Sequence, residues 1–200
     1  SAAGDAACAL AAYAAAAGVH AAIGFPRGVS QTSYVECLAC GATVSPGAPA
    51  GGGGPYHLEG VKTVGCEIAE QFRWELPGAI LAPAGGILPA MEKAFDELEA
   101  LTWISSKRPR LVAVEPGSLH EMLEAGLELA RTEGILPSPE GGACLAALRR
   151  LAAEGALDPE DRIVLLNPAS GRQYAELYAT RIRPTSLTEQ DKLGGLITPR

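Results

Sequence analysis

The sequence predicts an α/β fold in which a parallel sheet carries helices on both faces. Three observations lead there. Apolar runs of four to six residues alternate with segments of helical period, the pattern of strands buried on both sides between crossover helices. The 24 glycines and 15 prolines fall between the periodic segments, so they read as turns joining many short elements. With 48% hydrophobic and 20% charged residues, a chain of 200 can enclose a substantial core.

The first eighteen residues, SAAGDAACALAAYAAAAG, predict a tight turn over Ser1 to Asp5 and an alanine-rich helix over 6–17, capped by Asp5 and stopped by Gly18. A short buried strand follows over 20–25. Ser30 is the expected cap of a helix over 30–40, which Gly41 ends, and 42–44 predict another strand. SPGAPAGGGGP, Ser45 to Pro55, reads as a flexible connector. Beyond it, 58–72 is a predicted helix, 79–82 a strand and 87–101 a strong helix. The second half repeats the grammar, with a strand over 110–114, helices over 118–131 and 140–153, and a strand over 162–166. Residues 1–54 are expected to form the remnant of a smaller lobe and 55–200 a larger α/β lobe.

A net charge of −7 argues against a nucleic-acid backbone as partner, because the basic residues are scattered apart from Lys107, Arg108 and Arg110. The N-terminal stretch lacks a charged leader, and 6–17 is too short and too weakly apolar to span a bilayer, so the expectation is a cytoplasmic protein with no membrane segment. Five cysteines fit reduced thiols better than a disulfide framework. Cys37 and Cys40 have the spacing of half a zinc or redox site. Only His20, His57 and His120 remain to complete a metal site, so the pair reads as two small residues on an apolar helix, and no metal is expected.

In parallel sheets, ligands sit beyond the carboxyl ends of the strands. Three loops answer to that description: Ser1 to Asp5 before the first helix, Pro83-Ala84-Gly85-Gly86 between a strand and a helix, and Asn167-Pro168-Ala169-Ser170-Gly171 after the last strand. Each lets backbone N–H groups approach a ligand, and the first two place a helix N-terminus behind it. Any one is a weak signal; three at equivalent ends of one sheet point to an anion.

Here the residues resemble the threonine synthases and threonine-synthase-like members of the fold type II pyridoxal-phosphate enzymes, which share a tryptophan-synthase-beta-like architecture. SAAGDAACALAAYAAAAG is similar to their S-x-G-N loop and alanine-rich helix, and FPRGVSQTSYVECLACGA to the segment that follows. PYHLEGVKT and CEIAEQ resemble their P-Y-R-x-E-G-x-K-T helix; LAPAGGILPAMEKAFDELEAL their phosphate loop and its helix; RPRLVAVE a later strand; RTEGILPSPEGGACLAALRRL their E-G-x-x-x-x-P-E-G-G-A stretch; and VLLNPASGRQY their N-T-G-S-G-x-K-Y loop. The resemblance implies two lobes with pyridoxal phosphate between them. It implies cofactor contacts at Ala3, Gly4 and Asp5 around the ring, at Ala84, Gly85 and Gly86 around the phosphate, and at Asn167 and Ser170 near the pyridine nitrogen.

Several positions depart from the pattern. Asp5 stands where the family has asparagine, and its carboxylate would repel the ring phenolate. The phosphate loop offers two glycines and no hydroxyl, with Pro89 close behind. Pro168 and Gln173 replace a threonine and a lysine. None of Lys62, Lys93, Lys107 or Lys192 stands where the family carries its Schiff-base lysine, which would lie upstream of Ser1, and the junctions at 45–55 and 115–118 look shortened. The expectation is a shortened, divergent lyase or replacement enzyme acting on a small amino acid of the O-phosphohomoserine type, its catalytic lysine outside this chain. The alternative is a catalytically silent pseudoenzyme or binding module on the same scaffold. Apolar surface left by the reduced segments would be covered by a second copy, giving a homodimer.

Overall fold

Alanine at eleven of the first seventeen positions carries helical propensity back past the expected cap. The computed structural model describes residues 2–47 and 54–182, and in it helix α1 spans Ala2–Ala16. Asp5 therefore lies inside the first helical turn and is not an N-cap, and the turn expected before it is helical from Ala2 onward; Ser1 lies outside the described residues. Gly18, at φ +67°, ends this segment as expected.

Strand β1 (Ala22–Phe25) starts two residues later than the apolar run suggests, and pairs in parallel with β2 (Thr43–Pro46). Between them α2 (Gln31–Ala39) is capped by Ser30, whose Oγ accepts from the N–H of Ser33. Ser45 and Pro46, assigned to the connector on composition, are drawn into β2 by pairing with Gly24 and Phe25, and Pro46 is tolerated at the end of an edge strand. Of that connector, 48–53 lie outside the described residues.

The remaining elements are α3 (Pro55–Gln71), β3 (Ala79–Pro83), α4 (Ile87–Ala100), β4 (Arg110–Val114), α5 (Leu119–Glu133), α6 (Pro139–Ala153), β5 (Ile163–Leu165), a 3-10 turn over Gly171–Tyr174 and α7 (Ala175–Ile182). The turn and α7 are additions to the elements that the sequence predicts; α7 is only eight residues long. Ser118 and Ser138 cap α5 and α6 through their hydroxyls.

Instead of one sheet there are two, both parallel: β1 with β2, and β3 between β4 and β5. The larger has helices on both faces. Ile80 and Ala82 of β3 pack with Ile68 of α3 and Met91 and Phe95 of α4; Ala79 and Leu81 face Met122 of α5 and Ala143 and Cys144 of α6. This is the period-2 alternation of a strand between two apolar layers. Among the described residues the smaller sheet is covered on one face only. Ile23 and Phe25 are buried with Ala7, Cys8 and Ala11 of α1 and Cys37 of α2, whereas Ala22 is exposed.

Helices α5 and α6 meet without room for a side chain at their crossing. A Cβ on Gly142 would lie 2.1 Å from the carbonyl oxygen of Met122. That contact fixes α6, and with it the residue that α6 sends into the site below.

Candidate functional site

A cavity of about 600 Å³ opens at the carboxyl ends of the larger sheet, where Pro83, Val114 and Leu166 leave their strands. Residues 84–86 form one wall. Gly85 has φ +145°, a backbone conformation that side-chain-bearing residues rarely adopt, and this bend delivers the chain into α4. The N-cap of α4, Gly86, makes no side-chain capping bond, so among the described residues the first N–H groups of the helix and its positive dipole end stand behind the cavity without a capping side chain. An anion fits there.

The facing wall is acidic. Asp5, Ala6 and Ala9 come from α1 of the smaller layer, Glu140 and Ala143 from α6, and Tyr174 from the 3-10 turn. The Tyr174 hydroxyl donates to Asp5 Oδ2 at 2.8 Å. Burial raises the Asp5 carboxyl above its ordinary value, against the opposing pull of that hydrogen bond, and burial together with the bond to Asp5 raises the Tyr174 hydroxyl. Asp5 Oδ1 and Glu140 Oε2 are shut off from solvent and have no hydrogen-bond partner among the described residues.

Of the residues that the sequence nominates, Asp5, Ala84, Gly85 and Gly86 line this cavity together. Ala3 is in the first turn of α1. Gly4 is buried against Ser33, whose Oγ would lie 2.7 Å from an added Cβ. Asn167 turns to α6: its Oδ1 accepts from the backbone N–H of Ser138 at 3.1 Å and from the Ser138 hydroxyl at 3.4 Å. Ser170 caps the 3-10 turn by accepting from the N–H of Arg172, while its neighbour Pro168 lines the cavity.

Sequence reasoning missed Glu140, Tyr174 and Met122 as cavity residues. Glu140 sits in the first turn of α6, where an acidic side chain is ordinarily read as a dipole partner, and Tyr174 follows a loop whose fold the pattern does not announce.

No lysine lines the cavity among the described residues. Lys62 and Lys93 are engaged on the α3–α4 surface, where each pairs with both Glu59 and Glu97 at 2.5 to 2.6 Å; Lys107 is exposed in a loop, and Lys192 lies outside the described residues. Cys37 is buried in α2 with its thiol pushed up by burial, and Cys40 is a free thiol at the helix end. Among the described residues no helix is long and apolar enough to cross a membrane.

No family model matches the sequence. The chain is 27% identical to the threonine synthase of Methanocaldococcus jannaschii over a 172-residue alignment covering 58% of this chain and 42% of that protein. It is 28% identical to the threonine synthase of Methanosarcina acetivorans, over 56% of this chain and 41% of that protein. With threonine synthase 2, chloroplastic, of Arabidopsis thaliana it is 24% identical over 86% of this chain and 48% of the plant protein. The chain spans about half the length of the curated relatives it matches.

Among solved structures, a lysine-to-alanine variant of O-ureido-L-serine synthase with O-ureido-L-serine bound superposes with a TM-score of 0.70 at 15% identity, covering 92% of this chain and 75% of that one. A fungal L-serine ammonia-lyase from Rhizomucor miehei gives 0.65 at 14% identity, over 86% and 78%. The chain is thus a sequence relative of threonine synthases, and its α/β architecture is that of the fold type II pyridoxal-phosphate enzymes.

Proposed function

We propose that this chain supplies most of the cofactor cavity of a threonine-synthase-like, pyridoxal-phosphate-dependent lyase or replacement enzyme, acting on a small amino acid of the O-phosphohomoserine type. One observation carries the reading: Gly85 and Gly86, at the uncapped start of α4, open onto a cavity at the carboxyl ends of three parallel strands. The phosphate of the cofactor fits that wall, where a helix N-terminus offers unsatisfied donors. When bound, the cofactor supplies an electron sink for elimination and replacement at amino-acid carbons.

In this reading Ala84, Gly85 and Gly86 hold the phosphate, the Ala3–Gly4–Asp5 turn borders the ring, and Asn167 and Ser170 act at the far edge by fixing the turn that carries Pro168 and Tyr174. Met122, Val114 and Leu166 keep water from the apolar middle of the cavity. Asp5 in place of an amide suits a hydrogen-bond donor on the bound group, not an oxygen anion. A second reading, a non-catalytic binding module, is favoured by the lack of a cavity-lining lysine among the described residues. Exposed Leu10, Tyr13, Val35 and Leu38 on α1 and α2 support a homodimer, which light scattering would decide.

Titration of the purified protein with pyridoxal phosphate, followed by absorbance and by equilibrium dialysis, tests the cofactor reading. Saturable binding that falls with Gly85→Ala supports it. Absence of saturable binding by wild type would sink it. Threonine formation from O-phosphohomoserine by the bound protein, alone or with any longer form of the chain, then separates enzyme from binding module.

A further inference from the structure

We infer that Trp74 and Trp103 form a binding notch for a quaternary ammonium group, separate from the cavity, and that its occupant is a small free compound carrying that group. These are the only two tryptophans of the chain, and they meet: their ring centroids lie 5.0 Å apart and their planes cross at 81°. In such a contact the edge of one ring rests on the face of the other, so two faces stand at nearly a right angle and form an inner corner. A cavity of about 280 Å³ opens on that corner, lined among the described residues by these two alone. Both rings are reachable, at 37% and 56% exposure. Because α4 begins at the larger cavity with Gly86 and closes beside Trp103, the notch stands at the opposite end of that helix.

The backbone fixes the corner. The N–H of Trp74 donates to the carbonyl of Ala69 at 2.7 Å, and that of Trp103 to the carbonyl of Leu98 at 2.9 Å. Among the described residues, all three side-chain-bearing positions with positive φ, Arg73, Trp74 and Thr102, lie in these two helix endings. Backbone strain of this kind collects at sites that bind. The chemistry of the corner then narrows its occupant. Each indole face is the negative side of the ring quadrupole and attracts a cation within about 6 Å of the ring centroid. A primary ammonium is strongly hydrated and would lose water that two carbon walls cannot replace, and a planar guanidinium stacks on one face but not on two at a right angle. A quaternary ammonium has no N–H to satisfy, and its methyl groups touch both faces at once. Arg73 precedes Trp74 and Glu75 follows it, so the flanking charges offset each other and the attraction rests with the rings. At about 280 Å³ the notch falls below the roughly 300–1,000 Å³ of drug-sized ligand sites, which suits one headgroup, and no third side chain lines it to read a peptide.

With both tryptophans in the notch, intrinsic fluorescence excited at the indole band reports on this site alone. The test is titration of the whole chain with choline chloride and with 3,3-dimethylbutan-1-ol, its neutral isostere with carbon in place of nitrogen, at an ionic strength held constant with sodium chloride. Choline is expected to change the emission saturably and to bind about fivefold or more tightly than the alcohol, the range expected for a cation against two ring faces. In Trp74→Leu and in Trp103→Leu, each of which keeps one tryptophan as reporter, the preference is expected to shrink to about twofold or less. Equal or tighter binding of the alcohol by wild type overturns the ammonium assignment and makes the notch an apolar contact surface. No saturable change with either compound overturns the notch as a site. A peptide carrying trimethyl-lysine that binds about tenfold or more tightly than choline overturns the free compound as occupant. Because the ligands are compared on the wild-type protein, the matter is decided even where a variant fails to fold.

Discussion

The Tyr174 hydroxyl reaches across 169 positions of sequence to Asp5 Oδ2 at 2.8 Å, tying the 3-10 turn after β5 to the first turn of α1. The preceding residue repeats the connection, since Gln173 Oε1 accepts from the Ser33 hydroxyl of α2 at 3.2 Å. Two consecutive side chains thus join the larger layer to both helices of the smaller one. Tyr174→Phe removes the first tie and leaves a partly buried carboxylate oxygen without a donor. A loss of about 1.5 to 3 kcal/mol in unfolding free energy is expected. Urea denaturation measures it, and a loss below about 0.5 kcal/mol would show that the bond contributes no more than a surface contact.

The carboxyl of Asp5 makes stability depend on pH. Its folded value is raised above the ordinary 3.8, chiefly by burial, with the charges of Glu140 and Glu36 acting in the same direction and the Tyr174 hydroxyl against them. The folded state therefore holds this proton more tightly than the unfolded state does. The resulting stabilisation is complete below pH 3.8 and is lost as the pH rises through the raised folded value. Asp5→Asn has no such proton, and its amide oxygen still accepts from Tyr174. Relative to wild type, the variant should be more stable near pH 7 than it is near pH 3.5, as read from urea midpoints at the two values. An unchanged difference between them would mean that Asp5 titrates in the folded protein as it does in the unfolded chain.

Most elements were legible in the sequence because each is specified locally. Ser30, Ser118 and Ser138 mark helix starts by a hydroxyl that meets an N–H three residues on, and the run at 79–83 is apolar on both alternating faces because β3 lies between two helical layers. The cavity wall at 84–86 was legible for the same reason: a strand, a glycine turn and a helix follow one another directly. What could not be read depends on contacts between distant segments. Asp5 looks like a cap until Tyr174 claims it, and Asn167 looks like a ligand group until Ser138 does. The division into two sheets is likewise a matter of which strands meet, and the alternation of periods is the same for either arrangement.

Gly142 tests the coupling of core and site. An alanine there would place its Cβ 2.1 Å from the backbone oxygen of Met122, so α5 and α6 would have to move apart. A cost of about 1 to 3 kcal/mol is expected for such overpacking. Since α6 also carries Glu140 and Ala143 of the cavity wall, Gly142→Ala should weaken binding of pyridoxal phosphate more than Ala152→Gly, a change near the far end of the same helix that destabilises without crowding the crossing. Equal effects on binding at matched stability would separate the crossing from the cavity.

Two helix ends far from the cavity carry removable strain. α3 and α4 close in the same way: the N–H of Trp74 reaches the carbonyl of Ala69 and that of Arg73 reaches Glu70, while Trp103 reaches Leu98 and Thr102 reaches Glu99. These are Schellman endings, whose left-handed position is usually glycine, yet here it is held by Arg73 at φ 56° and Thr102 at φ 62°. The two tryptophans that follow meet edge to face with ring centroids 5.0 Å apart, which helps hold both ends in place. A left-handed residue with a side chain costs roughly 1 to 2 kcal/mol, and replacing it by glycine returns part of that gain as extra freedom of the unfolded chain. Arg73→Gly and Thr102→Gly should therefore each stabilise by on the order of 0.5 to 1 kcal/mol, the β-branched Thr102 giving the larger gain. Both sites lie at α-helix C-termini, whereas the cavity lies at the N-terminus of α4, so affinity for pyridoxal phosphate should be unchanged while the unfolding midpoint rises. A fall in the midpoint for either variant would show that the side chain itself, and not the backbone geometry, holds that helix end.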